Sequence, residues 1–253
     1  MISLLTIYTL WLRELVRFYR QPNRVIGALA SPLLFWMVLG AGIGRSFQSQ
    51  AGGGHLGYLG YFFPGTLMMI ILFTAIFSTI SIIEDRKEGF LQSVLVAPAP
   101  RYALILGKIL GGSTLALIQA SLFLFFTPML GIHLGISGVI LTVLILSLIS
   151  FSLTGLGFAL AWRMDSIQGF HAIMNLFLMP LWMLSGALFP TEGASGWIRI
   201  LMKLNPLSYA MNLLRATIYG THLTSMIDWM ITAIFCTVIF IVANAAASKR
   251  ERG

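Results

Sequence analysis

The run ILGGSTLALIQASLFLFFTPMLGIHLGISGVILTVLILSLISFSLTGLGFALAW, from Ile109 to Trp162, contains no Asp, Glu, Lys or Arg. A helix crossing about 30 Å of hydrocarbon needs about 20 predominantly apolar residues, so this run is too long for one crossing. Gly131-Ile132-His133-Leu134-Gly135 breaks it with a turn signal, leaving spans near residues 109–130 and 138–162. Working outward, the uncharged stretch Val25–Gly44 supplies a span, and Ser46–Ile83 holds another at about Leu59–Ile82. Two more follow near residues 168–189 and 229–247. The period-two alternation of a membrane barrel is absent. The expected fold is all-α: one polytopic domain over residues 1–253 with six membrane-spanning helices.

Composition agrees. Of 253 residues, 58% are hydrophobic and 9% charged, with a mean hydropathy of +0.90. A soluble domain carries about 25% charged residues, so a soluble enzyme or a nucleic-acid-binding module is excluded. The formal net charge of +8 fits a membrane protein whose basic loops face anionic lipid. Cys236 stands alone, which excludes an intrachain disulfide framework and a cysteine-rich metal site. The arginines of the first twenty residues follow the apolar stretch instead of preceding it, the reverse of a cleavable signal peptide. With both termini inside, twelve Lys and Arg fall on inner segments and Arg45, Arg199, Lys203 and Arg215 on outer ones, the orientation set by the positive-inside rule.

Three segments are not spans. Residues 1–24 read as an amphipathic interfacial helix: Arg13, Arg17, Arg20 and Arg24 form one stripe and Leu5, Tyr8, Leu12, Leu15 and Tyr19 another, with Tyr8 and Trp11 suited to headgroup depth. It is either a basic anchor or an elbow that transmits cytoplasmic movement to the first span. Residues 84–101 open with five consecutive charges, turn at Gly89, and continue as a short apolar helix (Phe90, Leu91, Val94, Leu95) stopped by Pro98 and Pro100. Such a helix either docks into a groove of a cytoplasmic partner or lies back on the membrane. Residues 190–228 form an outer segment with two short helices separated at Asn205-Pro206, read as a pore lid or as a passive cap.

Chemistry is sparse. Acids sit at span ends or in loops, whereas a proton- or ion-coupled carrier commonly places them near mid-membrane. Lys108 and Asp165 lie near cytoplasmic ends, where they can snorkel. His171 is near the same side, and His55, His133 and His222 fall in outer connections without converging metal ligands. Gly193-Ala194-Ser195-Gly196 resembles the serine motif of rhomboid proteases, but no His follows in span six to activate Ser195. Gly107-Lys108 is followed by Ile109 with no glycine-rich run before it, so no phosphate-binding loop is present. Energy for active transport would have to come from another polypeptide.

The charged loop, with Glu88-Gly89-Phe90-Leu91-Gln92 leading to Leu95-Val96-Ala97-Pro98, resembles the loop after span two of the type-two ATP-binding-cassette permeases. These are bacterial exporters of drugs, polysaccharides and lipo-oligosaccharides; the family pattern has Thr at the place of Phe90 and an acid at that of Gln92. Leu184-Ser185-Gly186-Ala187-Leu188-Phe189-Pro190, then Leu204-Asn205-Pro206-Leu207-Ser208-Tyr209 and Leu214-Arg215, resembles the family's exit from span five and its outer gate helices. The resemblance implies a transport subunit of the bacterial inner membrane, itself no enzyme. Two permease chains would pair, in a homodimer, around the path. No cofactor belongs to this chain: separate ATPase subunits underneath would bind ATP and Mg. It also implies coupling contacts at Glu84, Arg86, Glu88, Phe90, Leu91 and Leu95, and an outer gate of Asn205, Pro206, Tyr209 and Arg215. Gly40, Gly42, Gly111, Gly112 and Ser113 allow close helix approach, between copies or within one chain. The spans carry Ser, Thr, Gln119 and aromatics but no charge, which suits an amphipathic or lipid-linked cargo, with Gln119 and nearby Phe residues as its contacts. The alternative is a channel or scramblase-like protein needing no ATPase.

Overall fold

The structure, a computed structural model, describes residues 2–43, 57–96, 100–220 and 225–249. Its helices are α1 (Ile2–Tyr19), α2 (Pro22–Ile43), α3 (Tyr58–Lys87), α4 (Phe90–Val96), α5 (Arg101–Phe123), α6 (Ile136–Ala161), α7 (Ile167–Trp182), α8 (Gly196–Leu204), α9 (Pro206–Tyr219) and α10 (Met226–Lys249). Among the described residues, six segments are long and apolar enough to cross a membrane: Pro22–Ile43, Tyr58–Lys87, Arg101–Phe126, Ile136–Ala161, Ile167–Ala187 and Met226–Ala247. Each contains or overlaps an expected span. The largest shifts are at the charged ends: α3 continues through Glu84–Lys87 and α5 begins before Lys108. Charges stop a span when they must reach water; here Glu84, Asp85, Arg86 and Lys108 are paired inside the fold, so the helices run on through them.

The bundle is organised around α3. Its apolar residues occupy every side, and nearly all from Tyr58 to Ile83 are buried, as a helix without a polar face requires. Pro64 lies within α3 and cannot donate to the carbonyl four residues back. That carbonyl, Gly60 O, accepts instead from the Tyr219 hydroxyl at 2.5 Å. Trp36 of α2 packs edge-on against Phe63 and Phe123, and its indole donates to Leu59 O at 3.0 Å.

Glycines set the tightest approaches. A Cβ at Gly112 would stand 2.7 Å from Ser78 Oγ and from Thr154 Cγ2, so α3, α5 and α6 meet there. At Gly107 it would lie 3.0 Å from Ile7 O, and at Gly111 2.6 Å from Glu14 Cβ; these two, one turn apart on α5, form the seat of α1. Gly40 is closed by Leu59 within the chain, whereas Gly42 has nothing within 4 Å. Of the two readings open for these glycines, packing inside one chain accounts for Gly40, Gly111 and Gly112. Gly111→Val should therefore lift α1 from its seat at a cost of about 1–3 kcal/mol, the usual penalty of overpacking. The check is faster limited proteolysis within α1 together with a lower unfolding temperature in detergent; unchanged protection would mean that α1 is not held at this point.

The orientation of α1 departs from expectation. Trp11 turns inward and donates to Thr114 Oγ1 at 3.1 Å, away from headgroup depth. Leu5, Tyr8, Leu12 and Tyr19 are exposed, while Glu14 is buried and Arg13 and Arg17 are half-covered. Arg13, Arg17 and Arg24 face the protein, which offers them carboxylates, while Arg20 and most of the apolar stripe face out.

Candidate functional site

Those carboxylates sit at the end of α3. Asp85 is fully buried and accepts from Arg13 Nη1 and Nη2 at 2.9 and 2.7 Å, from Arg17 Nη1 at 2.5 Å and from Lys108 Nζ at 2.5 Å. Glu14 accepts from Lys108 Nζ and Ser81 Oγ, each at 2.7 Å. Glu84 accepts from Arg17 Nη2 at 2.8 Å and from Arg24. Arg17 also lies 3.9 Å from Glu88. Four cations thus meet three buried or half-buried acids plus one exposed acid. Burying an ion is costly unless it is paired and hydrogen-bonded, and here every acid has at least one cationic partner. The hydrogen bonds that Arg13 donates to Asp85 raise the pKa of its guanidinium further above the ordinary value. Lys108 does not snorkel: it is 5% exposed, and its ammonium bridges α1 and α3. Sequence reading placed all of these residues at one membrane face but missed their convergence. The available signal was the coincidence of an arginine stripe on α1 with a run of acids ending α3.

The turn into α4 uses Gly89, whose φ of +75° is a conformation glycine adopts without strain. The Arg13 guanidinium lies 3.7 Å from the Phe90 ring centroid, so α1 touches the first residue of α4 through a cation–π contact. Leu91 is 4% exposed and faces the bundle. Glu84 and Arg86 also point inward: Arg86 donates to Met164 O at 2.7 Å, to Trp162 O, and to Asp165 Oδ1 at 3.1 Å, tying α3 to the turn between α6 and α7. The outward positions are Lys87, Glu88, Gln92 and Ser93. Of the six residues expected to make coupling contacts, Glu84, Arg86, Phe90 and Leu91 therefore contact this chain itself, and Glu88, 3.9 Å from Arg17, is exposed. The Leu95 side chain lies outside the described residues.

Residues 6–219 match the family described as ABC-2 type transporter. The chain belongs to that family. Among its relatives, ycf38 of Cyanophora paradoxa, named a transport permease, is 26% identical over 244 residues, which is 96% of this chain and 82% of the relative. The inner membrane transport permease YadH of Escherichia coli (strain K12) is 26% identical over 242 residues, 93% of this chain and 90% of the relative. The daunorubicin resistance ABC transporter permease protein DrrB1 of Streptomyces coeruleorubidus is 23% identical over 218 residues, 85% and 75%. As an ABC-2 permease, this chain is a multi-pass membrane subunit of an ABC transporter, a non-enzymatic part whose ATPase is a separate partner.

At the opposite end of the ABC-2 bundle, α7 passes into a π turn, Met183–Ala187, and breaks at Gly186, whose φ is +84°. The break frees carbonyls, and unsatisfied carbonyls are not tolerated at membrane depth. Each finds a donor. Asn205 Nδ2 reaches Leu181 O at 2.6 Å, Ser208 Oγ reaches Leu184 O at 3.1 Å, and Tyr58 OH reaches Leu188 O at 3.1 Å. Gly186 O accepts from both Tyr61 OH at 3.1 Å and Arg215 Nη2 at 2.6 Å, with the guanidinium 4.1 Å from the Tyr61 ring centroid. Asn205 Oδ1 also accepts from Leu207 N at 3.0 Å, capping α9, and Pro206 is the first residue of that helix. Of the four expected gate residues, Asn205 and Arg215 bind the break and Pro206 starts the helix that carries Arg215. Tyr209 stands apart, donating to Lys203 O at 2.8 Å through an exposed hydrogen bond. Tyr58, Tyr61, Ser208 and Tyr219 were not singled out from sequence. Ser195 precedes α8 as its N-cap, and His55 and His222 lie outside the described residues.

Gln119, the expected cargo contact, is buried between helices and accepts from Thr74 Oγ1 at 2.6 Å. Its side-chain oxygen joins α5 to α3.

Proposed function

We propose that this chain is the permease of an exporter: a single domain that pairs with a second permease chain, is driven by ABC ATPase subunits that bind ATP and Mg, and moves an amphipathic or lipid-linked cargo outward across the inner membrane. Both termini and α4 lie on the cytoplasmic side in this reading. The observation that carries it is the junction at the end of α3, where one set of ions holds α1, α3 and α5 and where Arg13 stacks on Phe90. A helix as short as α4 has little stability of its own, so a push on its outer side passes into the bundle through Phe90 and Leu91 on its inner side. The outer side, with Glu88, Gln92 and Ser93, meets the ATPase, and residues 84–101 as a whole form the coupling loop. Residues 190–228 form the outer gate, in which Asn205, Pro206 and Arg215 hold the break at Gly186 and Tyr209 supports α8.

The test separates these two sides. Glu88→Arg combined with Gln92→Arg should reduce co-purification of a co-expressed cognate ATPase at least tenfold while permease yield stays the same. Leu91→Asp, by placing a carboxylate in the packed interface, should instead lower the yield of folded permease. ATPase retained at wild-type level by the double variant would refute the docking role. Transport by the purified chain in liposomes without any ATPase would overturn the whole reading in favour of a channel or scramblase.

A further inference from the structure

Two cavities follow the junction of α5 with α6. The deeper one, about 380 Å³, is lined by Thr114 and Leu117 of α5, by Ser147 and Phe151 of α6, and by Cys236 of α10. The second, about 410 Å³, lies toward the end that carries the Gly186 break and is lined by Ser121 and Phe125, by Val143 of α6, and by His133. Thr114, Leu117, Ser121 and Phe125 follow one another at steps of three or four, and Phe151, Ser147 and Val143 at steps of four. Each helix thus presents both cavities on one face, and the two are parts of one groove. Thr114 and Ser147 each sit near the middle of a 26-residue span. From Thr114 to Phe125 the chain rises about 17 Å, at about 1.5 Å per residue, against about 15 Å for half of a hydrocarbon layer about 30 Å thick. The groove therefore runs from the midplane to one face of the bilayer, the length of a single leaflet.

The lining suits hydrocarbon. Three of its hydroxyls have given their protons to their own backbone: Ser113 Oγ to Leu110 O at 3.1 Å, Ser147 Oγ to Leu144 O at 2.6 Å and Thr127 Oγ1 to Leu124 O at 2.7 Å. Thr114 Oγ1 accepts from the Trp11 indole. An ordered water needs two to four polar partners, which a wall with its donors spent serves poorly; a chain of methylenes needs none. At the shallow end the lining turns polar. His133 is exposed there, between the ends of the spans at Phe126 and Ile136 and so at headgroup depth, where its ring N–H can donate to a phosphate oxygen. We infer that the α5–α6 groove holds one acyl chain of a bilayer phospholipid, with the headgroup phosphate beside His133. The site is separate from α4 and from the residues around the Gly186 break, and it does not depend on the transport reading. Its deep end touches Thr114, which holds Trp11, so the bound chain lies against the seat of α1.

The full-length chain is reconstituted in phosphatidylethanolamine–phosphatidylglycerol vesicles with a trace of phosphatidylglycerol bearing a diazirine at mid-chain, or with hexadecane bearing the same group. After irradiation, adducts are located by peptide mass spectrometry. The reference surface is the outward side of α10, where Ile234, Val238 and Ile241 are exposed and meet only bulk lipid. The phospholipid probe should mark the groove between Thr114 and Phe125 at least fivefold more than the reference. Ser147→Trp, and separately Val143→Phe, fill the groove and should bring that ratio to about one without changing the reference signal. His133→Ala should lower the phospholipid ratio at least twofold and leave the hexadecane ratio as it was. Equal labelling of groove and reference in the wild-type chain would overturn the inference, as would enrichment that survives both filling substitutions. Hexadecane enriched as strongly as the phospholipid, and both indifferent to His133→Ala, would refute the headgroup contact.

Discussion

Asp85→Ala is expected to be the most damaging substitution in the chain, lowering stability by about 3–5 kcal/mol, the usual consequence of removing one member of a buried ion network. The carboxylate is fully buried and is the shared acceptor of Arg13, Arg17 and Lys108. Without it, Lys108 keeps only Glu14, Arg17 keeps Glu84 and the more distant Glu88, and Arg13 keeps a 3.4 Å contact with Glu14. The surplus positive charge has nowhere to go, since Lys108 cannot reach solvent from a site 5% exposed. Added salt should not rescue the variant, because buried pairs are screened far less than exposed ones. Asp85→Leu combined with Lys108→Met, which removes one charge of each sign, should recover at least half of the loss. The readouts are folded yield and unfolding temperature in detergent. A single Asp85→Ala variant as stable as wild type would show that the three cations do not depend on a common acceptor, and the junction would lose its place as the link between α1, α3 and α5.

The spans could be read directly because hydrocarbon imposes a one-dimensional rule: about 20 residues without charge, visible in Ile109–Trp162 and its neighbours. The start of α9 at Asn205-Pro206 was visible for a similar reason, since Asn and Pro act on their own backbone, whereas the break at Gly186 fell inside the span expected near residues 168–189. Facing was not legible. The arginine stripe of α1 has the same periodicity whether it points to headgroups or to Asp85, and only the position of α3 decides. Leu91 was expected to meet a partner from the helix pattern and the family resemblance, and Gln119 to meet cargo as a polar group in an uncharged span; Gln119 turns inward because Thr74 lies opposite it, and Leu91 because α4 folds back on the bundle.

Asn205→Leu is the second substitution with a large expected effect, because one side chain serves two elements. Its Oδ1 caps α9 at Leu207 N and its Nδ2 satisfies Leu181 O above the π turn. Losing the cap costs about 1 kcal/mol, and leaving a buried carbonyl unpaired costs about 1–3 kcal/mol more, so about 2–4 kcal/mol in total. The replacement is of similar size and the site is buried, so the loss is one of hydrogen bonding and not of volume. Asn205→Asp keeps the capping oxygen but sets a carboxylate against Leu181 O, and should be worse than Asn205→Ser, which keeps a cap without the repulsion. Tyr209→Phe is the counterpart: its hydroxyl bond to Lys203 O is exposed, so the change should fall within about 0.5 kcal/mol. Unfolding temperatures of the four variants in one detergent decide between two constructions of the gate. If Tyr209→Phe costs as much as Asn205→Leu, the segment is held from α8 by the phenol. If Asn205→Leu alone collapses it, the gate is anchored where α7 breaks, and movement of α9 must travel through the carbonyls of Leu181 and Gly186.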